Sequence, residues 1–190
     1  MFSKKNNYFL IIENIKDINL KSIKIRNKFS IVYRNNTKNY DFNDLQKFRR
    51  KCKLKAIKFY VANNRSLAVS LQSDGIYLSS MNKSLNILNY KRTNFEIIGS
   101  AHSFKEISLK KKQGCSYILL SKLFIVDYDK KAPYLGVLKF NNYSKISKGL
   151  IPLGGIKMGN LNQLKSLSCN GFALLSEIKK KPTKIISRLF

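Results

Sequence analysis

A parallel (β/α)8 barrel, small and single-domain over residues 1–190, is the fold this sequence predicts. Eight short β-rich apolar runs follow one another along the chain, and polar, helix-length segments with apolar residues at three- and four-residue spacing separate most of them. The runs are near-continuous in hydrophobicity, as strands buried on both faces of a parallel sheet are. A doubly wound open sheet is the alternative, because segments 15–28 and 81–94 are poorly periodic.

In order, the strand candidates are YFLIIEN (8–14), FSIVYRN (29–35), IKFYVAN (57–63), GIYLSS (75–80), FEIIGSAHS (95–103), YILLSKLF (117–124), GLIPLGG (149–155) and GFALLSE (171–177). The clearest helix is DFNDLQKFRRKCKLK (41–55), with Asp41 as its N-cap and Phe42, Leu45 and Phe48 as its apolar stripe. NRSLAVSLQS (64–73), SFKEISLKKKQG (103–114) and MGNLNQLKSLSC (158–169) read as helices on the same grounds. In the second of these, Ser103 and Glu106 are spaced as a capping box.

The hydrophobic fraction of 44% and aromatic fraction of 12% predict a folded core despite a net charge of +27. No apolar run approaches the ~20 residues of a membrane span, and the N-terminal run is too short for a signal peptide, so a cytoplasmic protein without membrane contact is expected. Cys52, Cys115 and Cys169 lack any CxxC pairing and read as scattered reduced thiols. Lys and Arg are spread along the chain with many Asn and Ile residues, a pattern of codon bias more than of a polyanion surface. The clusters KFRRKCKLK (47–55), LKKK (109–112) and IKKKPTK (178–184) read as solvated faces, and a basic nucleic-acid-binding module is the remote alternative.

Ligands of a barrel sit at the carboxyl ends of its strands, so the residues just beyond each apolar run carry the chemistry. Gly154 and Gly155 follow the seventh run and Ser176 and Glu177 the eighth, the two loops that commonly build a phosphate site. A tight turn closing a strand is the other reading of the paired glycines. Arg34, Asn63, Asn64, Ser79, Ser80, Ser100 and His102 stand at the other strand ends. Arg34 suits a pyrophosphate and His102 suits proton transfer. The nearest carboxylates for a metal are Asp127 and Asp129.

The order of these motifs resembles the thiamine-phosphate synthase and thiazole tautomerase family, over residues 29–178. The family's NDR-x-x-x-A followed by ADGVHL is similar to NNRSLAVSLQSDGIYL, its S-x-H-S-x-x-E to SAHSFKE, and its G-x-x-Y-I to GCSYILL. Its A-P-x-L-G segment is similar to APYLGVLKF, and its AIGGI and GVAVVS to PLGGI and GFALLS.

The resemblance implies a (β/α)8 barrel that couples hydroxymethylpyrimidine diphosphate to a thiazole phosphate with magnesium, releasing pyrophosphate. It implies phosphorylated small molecules as partners and does not fix the oligomeric state. By position it assigns Arg34, Asn63, Asn64 and Lys130 to the diphosphate and pyrimidine, and Gly154, Gly155, Leu175 and Ser176 to the thiazole phosphate. His102 and Ser100 become the catalytic pair, and Asn64 and Asn82 the metal positions. There the family has Asp, so the amide oxygens here lack the charge that offsets magnesium dehydration. Asn36 replaces a family Lys, and Val126, Asp127, Tyr128 and Asp129 replace a Thr-x-Thr-Lys run. Lys38, Lys130 or Lys131 could restore cations, and Asp127 or Asp129 a displaced carboxylate. The tautomerase relative needs neither diphosphate nor magnesium and has a histidine where His102 stands, which keeps a tautomerase-like or catalytically altered phosphate-binding protein as the alternative.

Overall fold

In a computed structural model, which describes residues 7–23, 25–35, 37, 39–86 and 95–175, eight parallel strands close into a barrel in sequence order. They are β1 (Tyr8–Ile12), β2 (Phe29–Tyr33), β3 (Lys58–Ala62), β4 (Gly75–Leu78), β5 (Glu96–Ala101), β6 (Tyr117–Ser121), β7 (Leu150–Leu153) and β8 (Ala173–Leu174). Closure is made by β8, which pairs with β1 at Phe9↔Ala173 and Leu10↔Leu174 and with β7 at Leu153↔Ala173. The closed sheet excludes the open doubly wound alternative.

Side chains alternate across each strand, and here the alternation separates two apolar clusters. Phe9, Ile11, Val32, Tyr60, Tyr77, Ile98, Leu119, Ile151, Leu153 and Ala173 fill the interior. Tyr8, Leu10, Ile12, Phe29, Ile31, Phe59, Val61, Ile76, Ile97, Ile118 and Leu120 face outward and pack under the helices. Both faces are dry, so the runs read as continuous in sequence.

Four α-helices cover the outside: α1 (Phe42–Leu54), α2 (Arg65–Ser70), α3 (Phe104–Lys112) and α4 (Gly136–Ile146). Asp41 caps α1 by accepting from the Asp44 N–H at 2.9 Å, and Leu45, Phe48 and Cys52 are buried. Phe42 is 39% exposed and lies outside the stripe. Arg49, also on α1, is buried; it donates to the Gln72 carbonyl and pairs with Asp74 at 3.2 Å, tying the helix to the turn before β4. Ser103 caps α3 as expected, but the Glu106 carboxylate accepts from the His102 N–H at 2.7 Å, one residue beyond the reciprocal box.

Two expectations are corrected. Residues 158–166 form a 3₁₀ helix instead of an α-helix, and the poorly periodic first connection contains two single 3₁₀ turns, Ile15–Asp17 and Leu20–Ser22. Neither KFRRKCKLK nor LKKK is a wholly solvated face: Phe48, Arg49 and Cys52 in the first and Lys110 in the second are buried, while the third cluster, at 178–184, lies outside the described residues. Among the described residues no helix is long and apolar enough to cross a membrane.

The two ends of the barrel interior differ. At the amino-terminal end Glu96 accepts from Lys58 at 2.7 Å, the Tyr60 hydroxyl at 2.5 Å and Ser116 at 2.8 Å. Phe9 lies above, its ring centroid 6.4 Å from Tyr60 and 5.7 Å from Tyr117. The carboxyl-terminal end opens into a cavity.

Candidate functional site

The inward alternation of the strands builds this cavity. Continuing it by two residues beyond the apolar interior brings Arg34 from Val32, Ser79 from Tyr77, Ser100 and His102 from Ile98, Ser121 from Leu119, Gly155 from Leu153 and Leu175 from Ala173. All of them line one pocket of about 450 Å³, together with Asn63, Gly154, Asp127, Tyr128 and Lys157. Such a volume suits a small ligand.

The floor is Tyr77, Leu153 and Ala173, all buried. Burial raises the Tyr77 phenol above its ordinary value; a hydrogen bond with Ser100 and the Arg34 charge work against this. Tyr77 is therefore a neutral phenol. Ser100 is itself buried and positioned by that bond, while His102 stands exposed at the rim with its backbone pinned by Glu106.

Arg34 pairs with Glu13 at 3.3 Å, and its Nε is buried without a hydrogen-bond partner among the described residues. Asn63, in the left-handed region at φ 53°, ties two loops together: its Oδ1 accepts from the Ser79 N–H and its Nδ2 donates to the Ser79 hydroxyl, both at 3.0 Å.

Gly154 and Gly155 have φ of 92° and 68°, which favour glycine. A Cβ on Gly155 would also sit 2.5 Å from the carbonyl oxygens of Phe124 and Ile125. The tight-turn reading of the pair therefore holds, and the turn does more. The Gly154 carbonyl accepts from the Phe124 N–H and the Gly155 carbonyl from Asn160 Nδ2, while the N–H groups of Gly155 and Ile156 have no protein acceptor among the described residues. Those two donors can serve an anion.

The other expected residues separate from the cavity. Asn64 does not line it; its Oδ1 caps α2 through the Leu67 N–H at 3.0 Å and also accepts from Ser66. Asn82 lies outside the lining, with its Oδ1 accepting from the Ser84 N–H at 3.2 Å and its Nδ2 directed to Asn63. Lys130 is exposed in the turn after β6 and does not line the cavity. Ser176, Asn36 and Lys38 lie outside the described residues.

These oxygens do not fit magnesium. The Oδ1 atoms of Asn63, Asn64 and Asn82 already accept protein hydrogen bonds, and Asp127 and Asp129 are paired with Lys157 and Lys122. No group of three or more His, Cys, Asp or Glu converges among the described residues. Nor is any thiol activated: burial pushes Cys52 up to about 12 and Cys115 and Cys169 up to about 11.

Tyr77, Ser121 and Lys157 escape the sequence reading. The first two follow from the alternation that gives Ser100 and His102, once it is run back into the strands. For Lys157 the only signal is a lysine two residues beyond a glycine pair.

The profile of the thiamine monophosphate synthase family matches residues 3–178. Thiamine-phosphate synthase from Flavobacterium johnsoniae is 26% identical over 165 residues, covering 81% of this chain and 76% of that protein. The one from Prochlorococcus marinus strain AS9601 is 28% identical over 180 residues, covering 92% of this chain but 49% of that protein, so this chain spans about half its length. Two solved structures share the fold. Thiamine phosphate pyrophosphorylase from Pyrococcus furiosus superposes with a TM-score of 0.71 at 18% identity, covering 100% of this chain and 98% of its own. 3-Keto-L-gulonate-6-phosphate decarboxylase from Vibrio cholerae gives 0.65 at 10% identity, covering 98% and 100%. A match over nearly the whole chain, to a family whose fold this barrel shares, makes the protein a member of the thiamine monophosphate synthase family.

Proposed function

We propose that this barrel is a transferase of thiamine biosynthesis that couples hydroxymethylpyrimidine diphosphate to a thiazole phosphate. The observation that carries the reading is the cavity at the strand ends, lined by the Gly155 and Ile156 turn, whose two N–H donors have no acceptor among the described residues, and by Arg34 and Asn63. In the reaction the methylene C–O bond to diphosphate breaks, the thiazole nitrogen lone pair forms the new C–N bond, and pyrophosphate leaves. This chain's residues would hold the two ligands in line and carry the charge of the leaving group. Arg34 is the guanidinium suited to the diphosphate. The buried Tyr77–Ser100 pair fixes the floor on which the pyrimidine rests.

A second reading, a tautomerase-like or altered phosphate-binding relative, is favoured by the occupied amide oxygens of Asn64 and Asn82. There His102, at the rim, would move a proton on a bound thiazole phosphate.

Calorimetric titration with each ligand, followed by chromatography of the mixture for thiamine phosphate, tests both. Saturable binding of both ligands with product formed is the expected result. Thiazole phosphate binding alone, with no product, replaces the first reading by the second, and binding of neither rejects both.

A further inference from the structure

We infer that Lys157 is the cation that receives the phosphate of the bound ligand and that Asp127 is its displaceable counter-ion. The inference rests on the reading that the cavity takes a phosphorylated ligand, and it adds a side-chain charge to the glycine turn that the resemblance assigns to the thiazole phosphate.

Asn160 clasps the glycine turn twice, its Oδ1 accepting from the Lys157 N–H and its Nδ2 donating to the Gly155 carbonyl, both at 2.8 Å. This clasp fixes the backbone of Gly155 to Lys157, so the N–H groups of Gly155 and Ile156 and the Cα from which the Lys157 side chain springs belong to one unit on the cavity wall. An ammonium beside two unshared backbone donors is an arrangement for a phosphate.

Across the mouth, the Lys157 ammonium is held by Asp127 in the loop after β6. The two side chains are 43% and 48% exposed, and an ion pair so well solvated is weak. A phosphate that meets the ammonium and the backbone donors together makes more bonds than the single carboxylate, and Asp127 gives way. Arg34, the other permanent cation among the described residues of the lining, is paired in the same manner with Glu13. Free of ligand, the described residues of the cavity are thus nearly charge-balanced within a molecule of +27. The acids keep it from collecting indiscriminate anions, and a ligand with a full phosphate charge is the one that displaces them.

The test is a double-mutant cycle on the full chain, titrated with thiazole phosphate and with inorganic phosphate in the presence of EDTA. Lys157→Gln should weaken thiazole phosphate binding about tenfold. Asp127→Asn should tighten it about threefold. In the Lys157→Gln background, Asp127→Asn should change nothing. Wild-type affinity in Lys157→Gln, or a gain from Asp127→Asn that persists without Lys157, overturns the inference while leaving the cavity's function standing. Failure of the wild-type protein to bind any phosphorylated ligand overturns both. Both residues are half-exposed, so melting curves that match wild type confirm that folding is not the variable.

Discussion

Lys110 is the side chain whose position runs furthest from its residue type. It is fully buried, and its ammonium donates to the Ser79 and Asn82 carbonyls at 2.7 Å and to Gln113 Oε1 at 2.9 Å, with no carboxylate among these partners. Burial pulls it below the ordinary lysine value, and its hydrogen bonds satisfy the charge. Room for its stem comes from Gly99, where a Cβ would approach Lys110 Cδ to 2.8 Å. It fastens the loop after β4 that brings Ser79 and Ser80 to the cavity. Lys110→Met keeps the stem and removes the donors, and should cost about 2–3 kcal/mol in urea denaturation, through the buried acceptors left unpaired. No sequence pattern separates Lys110 from Lys111 and Lys112, since its burial depends on a glycine on β5, the strand that α3 follows. The paired glycines, by contrast, are legible, because only glycine readily takes their φ values.

Among the elements, α1 is the one whose sequence and structure agree most closely, and its cap can be tested alone. Asp41→Ala removes the acceptor for the Asp44 N–H and should lower stability by about 1 kcal/mol, read as a lower urea midpoint with an unchanged slope. The strands are legible as well, because a parallel sheet dry on both faces leaves an unbroken apolar run. Residues 158–166 are not. Their apolar spacing suits an α-helix, but the Asn160 clasp on Gly155 and Lys157 sets the start of the segment, and a 3₁₀ helix follows. The cap on α2 shows the same limit from the other side. Position alone assigns Asn64 to a ligand, yet an Asn directly before a helix is also an N-cap, and here its Oδ1 takes that role.

At the scale of the whole molecule, the barrel has a polar base, an apolar waist and a polar mouth. Burial alone would raise the Glu96 carboxyl at the base, but hydrogen bonds from Lys58, Tyr60 and Ser116 outweigh it and hold the group below its ordinary value of 4.5. A carboxyl depressed by folding stabilises the protein above that ordinary value, and the contribution is lost as pH falls through the lower folded value. Melting temperatures of wild type and Glu96→Gln should therefore differ most near neutral pH and converge as the solution is acidified past 4.5. The waist, made of Phe9, Ile11, Tyr60, Ile98, Leu119 and Ile151, stands between this base and the cavity. Substitutions at the mouth thus leave the foundation of the barrel untouched. In evolutionary terms, selection for foldability therefore acts on one set of positions, the base and the waist, and leaves those of the mouth free to answer to other demands.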